Sequence, residues 1–323
     1  MIKIKLLNHS LKNSYKYKAN KDDTVIFCLD EREEFYDFAV AFEKLDEKTK
    51  LTVPSENLIF ITGEPPSVKT YNQDFLNQFG AVITCHKEML HKNKKIMNCG
   101  MPWFVKKTYD KLKEIKTYKK TKLISIITSN KQFTEGHRKR YEFALKLKEQ
   151  FGDKIDLYGK GINEVEDKWD AIADYKYHIA IENSYYEEYW TEKLSDSYLC
   201  GAYPIYSGCP NVLEYFSSKS MTPIDINDFE KSVEIIEKII NSNAYENSIN
   251  ELLHSKELIL DKYNLFNNIA SFCKENYNSN LPKQRIALKP EDYFTNKSYT
   301  VYREFKKRPF YFIFDLLKGK VRL

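Results

Sequence analysis

IAIENSYYEEYWTEKLSDSYLCGAYPIYSGCPN, residues 179–211, reads as a strand, a loop, a helix, a second strand and a turn, in that order. His178-Ile179-Ala180-Ile181 is a short apolar run bounded by polar residues, as in a parallel strand covered on both faces. It ends at Glu182-Asn183, and a polar, tyrosine-rich loop follows. Thr191 is placed to cap a helix that stops at Gly201, a residue suited to the position just past a helix end. Ala202–Tyr206 returns as a strand, and Ser207–Asn211 is a tight turn into another helix, with Pro210 at its first position. Ligands of open α/β sheets sit at the carboxyl ends of the strands. Asn183, Tyr189, Glu192, Lys193 and Gly208 are therefore expected in one crevice.

Charge indicates what that crevice accepts. Lys193 falls in the first turn of its helix, where the macrodipole disfavours a cation. An anion at the helix end, held by the amides as well as the ammonium, removes the conflict. Tyr189, Glu192 and Lys193 are spaced i, i+3, i+4 and can face one ligand. A nucleoside diphosphate fits: cation on phosphate, carboxylate on sugar hydroxyls, aromatic ring as a wall. The same spacing also suits an ordinary salt-bridged helix start.

The stretch resembles the donor-binding motif of family-10 glycosyltransferases, the α-1,3/1,4-fucosyltransferases. The matching residues are Ile181-Glu182-Asn183, Tyr189, Thr191-Glu192-Lys193, Pro204-Ile205-Tyr206 and Gly208-Cys209-Pro210. The resemblance extends over roughly residues 55–230. It implies an α/β fold of two doubly wound, Rossmann-like domains facing a cleft, the B-type glycosyltransferase architecture. It also implies transfer from GDP-fucose with inversion, and no essential metal or other cofactor.

Composition sets the outer bounds. At 323 residues and 42% hydrophobic, the chain can bury two cores. It carries 51 basic and 46 acidic residues. Seven of the basic and two of the acidic residues lie in Val301–Leu323, which leaves 44 against 44 before Val301. A folded region without net charge argues against a nucleic-acid partner. The six cysteines form no Cys-x-x-Cys pair, and Cys85, His86, His91 and Cys99 lack ordinary zinc spacing. The opening MIKIKLLNHS has no long apolar region, and no run approaches the ~18 apolar residues of a membrane span. The expectation is a cytoplasmic protein.

Earlier in the chain, Met1–Leu7 and Thr24–Leu29 read as strands. Asp30–Lys48 reads as an amphipathic helix, with Phe35, Phe38, Ala39, Phe42 and Leu45 at helical intervals. Leu58–Ile61 is a buried strand running into Thr62-Gly63-Glu64-Pro65-Pro66. Glu64 thus stands at a strand's carboxyl end, beside a stiff Pro-Pro pair, a setting that suits a general base. An exposed loop glutamate gives the same pattern. The fucosyltransferase family carries a Tyr-Thr-Gly-Glu-like element whose Glu is the proposed base; Ile61-Thr62-Gly63-Glu64 matches it with Ile in place of Tyr. The Pro-Pro continuation resembles a bacterial branch.

Ala81–Thr84 reads as a further strand, and residues 87–118 as lysine-rich and irregular. Leu123–Thr128 opens the second domain and ends at Ser129-Asn130; Glu135–Phe151 follows as a helix. Family members carry an Arg seven residues before a Leu here. Arg138 and Leu145 reproduce that spacing, so the resemblance assigns Arg138 to the donor diphosphate, with Lys139 and Arg140 as rivals. Ile155–Gly159 is a strand ending in Gly159-Lys160-Gly161; a lone Gly-x-Gly is weak evidence for phosphate binding, but at this sheet edge Tyr158-Gly159 can border the nucleotide. Glu166–Tyr175 reads as a short helix, Thr222–Ile226 as a strand, Asp228–Ile240 as a helix, and 244–277 as mostly helical.

These readings divide the chain into an acceptor-binding domain (1–118), a donor-binding domain (119–290) and a basic, aromatic tail (291–323). The expected function is inverting transfer of L-fucose from GDP-fucose to a hydroxyl of an acceptor glycan. The linkage implied is α-1,3, on a bacterial surface glycan such as lipopolysaccharide. Glu64 is the expected base. Arg138, Asn183, Tyr189, Glu192, Lys193, Tyr158, Gly159 and Gly208 are the expected donor contacts. Residues 301–323, with Phe305, Phe310, Tyr311, Phe312 and Phe314 among the cations, suit an anionic membrane surface on the cytoplasmic face. Two alternatives are the same fold with another nucleotide sugar, and a catalytically silent sugar- or membrane-surface-binding protein. Donor turnover separates the latter from an enzyme.

Overall fold

The computed structural model describes residues 1–18, 24–30 and 33–296. Ile2–Leu6 (β1) buries Ile4 and Leu6 and is followed by His9–Lys18 (α1) and Val25–Cys28 (β2). Phe38–Phe42 (β3) is buried at all five positions. The amphipathic helix expected over Asp30–Lys48 is therefore incorrect. A strand covered on both faces shows no polar alternation, and its spaced phenylalanines imitate a helical period. Thr49–Val53 (β4), Leu58–Ile61 (β5), Gln73–Leu76 (α2), Ala81–Thr84 (β6) and Lys94–Ile96 (β7) follow. The first sheet is wholly parallel, in the order β2-β1-β3-β5-β6-β7.

The second block begins with Tyr109–Glu114 (α3) and Lys122–Ile127 (β8). Glu135–Phe151 (α4), Ile155–Tyr158 (β9), Tyr175–Ile181 (β10), Glu192–Leu199 (α5), Tyr203–Ser207 (β11) and Thr222–Pro223 (β12) follow. Its sheet is also parallel, in the order β12-β11-β10-β8-β9. Chain order reverses between β8 and β10, which opens a crevice at their carboxyl ends. Two expected helices shrink to single 3-10 turns, Val212–Glu214 after Pro210 and Lys168–Ala171 before β10.

Phe229–Ile240 (α6) and Ala244–Glu257 (α7) complete the helices around the second sheet. Leu265–Glu275 (α8), Gln284–Leu288 (β13) and Glu291–Thr295 (α9) then return to the first. Val40, Phe42, Ile59 and Ile61 pack on Phe266 and Ile269 of α8. The alternate residues Ala39, Ala41, Leu58 and Phe60 pack on Phe75, Phe79, Leu288 and Phe294. β13 pairs antiparallel with β4, Ile286 opposite Leu51. The boundaries expected at 118 and 290 do not match this packing: Trp103, Val105 and Leu112 join the second core, and residues 265–294 join the first. The membrane expectation for 301–323 lies outside the described residues, among which no helix is long and apolar enough to cross a membrane.

Candidate active site between the two sheets

The site is assembled around one buried carboxylate. Glu182, directly after β10, is 3% exposed. It accepts hydrogen bonds from the Thr191 amide at 2.8 Å and the Thr191 hydroxyl at 2.7 Å, closing the tyrosine-rich loop at its base. Thr191 caps α5 as expected, its hydroxyl accepting from the Lys193 amide. Gly201, with φ +62°, ends that helix region in the left-handed conformation.

Lys193 Nζ lies 3.3 Å from Glu182 Oε2 and 3.1 Å from Glu192 Oε1, and donates to Thr191 Oγ1 at 3.0 Å. Lys168 adds a second cation, 3.6 Å from Glu192 and 3.1 Å from the buried Asp196. Burial pushes the Glu192 carboxyl up, but Lys193 and Lys168 outweigh it and hold the group at about 2. Burial likewise works against the Lys193 ammonium, yet Glu192 and Glu182 raise it above its ordinary value. Lys193, partly buried between two carboxylates, therefore stays charged.

Glu192 and Lys193 line a cavity of about 480 Å³, together with Ser129, Arg140, Gly159 and Lys168. Gly159 has φ +134°, and a Cβ there would run into the Thr128 carbonyl, so only glycine lets β9 end against β8. A second cavity, about 400 Å³, lies between the sheets, with Ser67 on one side and Gly136, Asn183, Ser184 and Gly208 on the other. Glu182 lines this second cavity and holds Lys193, which lines the first. Ser67 and Ser184 hydroxyls bridge the two domains at 2.5 Å.

Glu64 faces this junction from the end of β5. Its backbone amide and that of Gly63 donate to the Glu43 carboxylate, and its carbonyl accepts from His86 Nε2 at 2.8 Å. Burial raises the Glu64 carboxyl above its ordinary value and Glu43 raises it further; Lys193 and a hydrogen bond from Asn183 oppose the shift. Tyr189 Oη donates to Asn183 Oδ1 at 2.8 Å, which leaves the Asn183 amide nitrogen for Glu64. The two domains thus meet at a carboxylate made more basic by its surroundings.

Three expected placements need correction. Arg138 is exposed and donates to the Gln132 carbonyl at 3.2 Å; Arg140 lines the cavity instead, 7% exposed, with its Nε unpartnered among the described residues. Two helix positions are about 200° apart, so only one of this pair can face the sheet. Arg140 shares the buried face of α4 with Phe143, Ala144 and Leu147, the i+3, i+4 and i+7 positions, a signal that could have selected it. Tyr158 does not line the cavity: its hydroxyl lies 2.6 Å from that of Tyr175, itself bonded to Asp156. Tyr189 is not a wall of either cavity; it is 4% exposed and acts through Asn183.

Glu43 carries no local signal, because the strand directly before it, β3, imitates a helical period in its spaced phenylalanines. Lys168 carried no local signal at all. Among the described residues, no three or more His, Cys, Asp or Glu side chains converge as metal ligands.

Residues 117–274 match the profile of "Glycosyltransferase family 10 (fucosyltransferase) C-term". The chain carries a family-10 glycosyltransferase domain. The α-(1,3)-fucosyltransferase FucT of Helicobacter pylori is 32% identical over 111 residues, 34% of this chain and 23% of that protein. A fucosyltransferase-like protein of Arabidopsis thaliana is 38% identical over 65 residues, 19% of this chain and 13% of that one. The chain thus spans less than a quarter of the length of these curated relatives. A solved α1,3-fucosyltransferase with GDP-fucose superposes with a TM-score of 0.51 at 18% identity, covering 85% of this chain and 89% of the other. The same enzyme activity with GDP gives 0.50 at 17%, covering 82% and 92%. These likenesses establish the two-domain B-type architecture. Asn183, Glu192 and Lys193 lie within the residues that match the family profile, and Glu64 lies before them, after β5.

Proposed function

We propose that the chain transfers L-fucose from GDP-fucose to a hydroxyl of an acceptor glycan, with inversion at the anomeric carbon. The observation that carries this reading is the meeting of Glu64, from one domain, with Asn183 and Lys193, from the other. The name of the solved relative with GDP-fucose supports the choice of donor.

In the proposed reaction Glu64 takes the proton of the acceptor hydroxyl as its oxygen attacks the anomeric carbon. The carbon–oxygen bond to the diphosphate breaks in the same displacement, and GDP leaves. Lys193 and Arg140 face the charge that develops on the departing phosphate, a role that calls for no metal ion. Glu192 accepts from donor hydroxyls. Asn183, held by Tyr189, orients Glu64, and Gly208 leaves room beside Glu182, whose side chain a Cβ there would strike. A raised Glu64 carboxyl suits general-base work near neutral pH.

The acceptor enters from the first domain through the cavity that holds Ser67 and Ser184. An α-1,3 linkage to a bacterial surface glycan, at the cytoplasmic membrane face, completes the proposal. The test is mass spectrometry of products from GDP-fucose, GDP-mannose and UDP-galactose with a small glycan array. A deoxyhexose adduct from GDP-fucose alone supports the reading. Turnover of another donor in its place refutes the choice of sugar, and donor binding without any turnover refutes the enzyme.

A further inference from the structure

We propose that Glu164 selects the nucleobase of the donor by accepting both hydrogen bonds from the N1–H and 2-amino groups of guanine. This rests on the guanosine-donor reading above. Asn183 and Glu64 mark the sugar end of the site, and Lys193 with Arg140 marks the diphosphate. From α5 the 480 Å³ cavity runs across the ends of β10, β8 and β9 in turn, two strand spacings or about 10 Å. The base therefore reaches the β9 side, where Val165 and Ile172 offer apolar walls and Gly159 offers bare backbone.

Three carboxylates line this cavity: Glu164, Glu192 and Asp196. Glu192 and Asp196 are both ion-paired with Lys168, and Glu192 with Lys193 as well. Glu164 makes no ion pair among the described residues. Its Oε1 accepts from the Gly161 amide at 2.9 Å, which fixes the side chain on the turn after β9. Its Oε2 has no hydrogen-bond partner among the described residues. Guanine alone of the common bases presents two adjacent donors on its pairing edge, and a carboxylate matches them side by side. Adenine and uracil each place an acceptor where one donor is required, and hypoxanthine lacks the 2-amino group.

The experiment is calorimetric titration of GDP, IDP and UDP into the wild-type chain, Glu164→Gln and Glu164→Ala. The glutamine keeps an acceptor for the Gly161 amide; the alanine removes the side chain. Hydrogen bonds to a charged group imply a roughly tenfold or greater preference of the wild type for GDP over IDP. In both variants GDP should weaken by about tenfold to a hundredfold, and the preference over IDP should collapse toward one. An undiminished preference in both variants, or equal binding of GDP and IDP by the wild type, overturns the assignment. If the wild type binds UDP and not GDP, the guanosine-donor reading has failed, and this assignment with it.

Discussion

Replacing Lys193 with methionine isolates the charge network on which the site depends. Methionine keeps the unbranched reach of the side chain and removes the cation that stands 3.1 Å from Glu192 and 3.3 Å from Glu182. In the wild type the Glu192 carboxyl is held at about 2 against an ordinary 4.5. At about 1.4 kcal/mol per pH unit, that difference stabilises the fold by about 3 kcal/mol at neutral pH. The sign follows from the lowered value: the contribution is present above pH 4.5 and is lost as pH falls from there toward 2. Removing one partner of a buried ion pair costs about 3–5 kcal/mol, a large part of the ~5–15 kcal/mol typical of a folded domain. Arg140 and Lys168 remain nearby, so the loss expected at pH 7 is at the lower end, about 3 kcal/mol. Without Lys193 only Lys168 and the Thr191 hydrogen bond oppose burial, so the Glu192 carboxyl moves up from its wild-type value and its protonation costs the folded state less. Urea unfolding of both proteins at pH 7, 6, 5 and 4.5 should show the gap between them narrowing as pH falls. A gap that stays constant over this range, or no loss of stability at pH 7, would refute the electrostatic account of the site.

Glu64→Gln should keep GDP affinity and lose transfer by about 10²–10⁴-fold, since the amide retains shape but accepts no proton. In the wild type, kcat/KM should fall as pH drops through the raised Glu64 value; near-normal turnover in the variant rules out Glu64 as base. Arg140→Ala should weaken GDP binding by at least about tenfold, whereas Arg138→Ala, which removes an exposed side chain, should change it far less. Calorimetry with both variants decides between the two arginines, and the reverse order of effects would restore Arg138 to the diphosphate. For the tail, full-length protein should sediment with anionic vesicles at low salt and a 1–300 truncation should not, each tail cation contributing about 1 kcal/mol near the surface. Equal binding by the two proteins removes the membrane role of 301–323.

Much of the second domain was legible because its signals are local. A cap at Thr191, a left-handed glycine at 201 and a bounded apolar run at 178–181 act within one or two turns of chain. The sequence alone thus determined the strand–loop–helix–strand order and placed Asn183 at a strand end and Glu192 and Lys193 in the first turn of the helix that follows. It also placed Glu64 at the end of β5, since that strand and its Gly-Glu-Pro turn need no distant partner to be recognised. Only the tertiary structure decided what these groups face. Glu43 reaches the Glu64 loop because β3 lies beside β5, and Lys168 reaches Glu192 because a 3-10 turn packs under the sheet. The return of α8 and β13 to the first sheet was equally hidden, since pairing with β4 joins residues more than two hundred positions apart. Spacing along a chain specifies which residues share a helix face or a strand edge. Contacts across that distance are selected by the burial of whole faces, which no short stretch encodes.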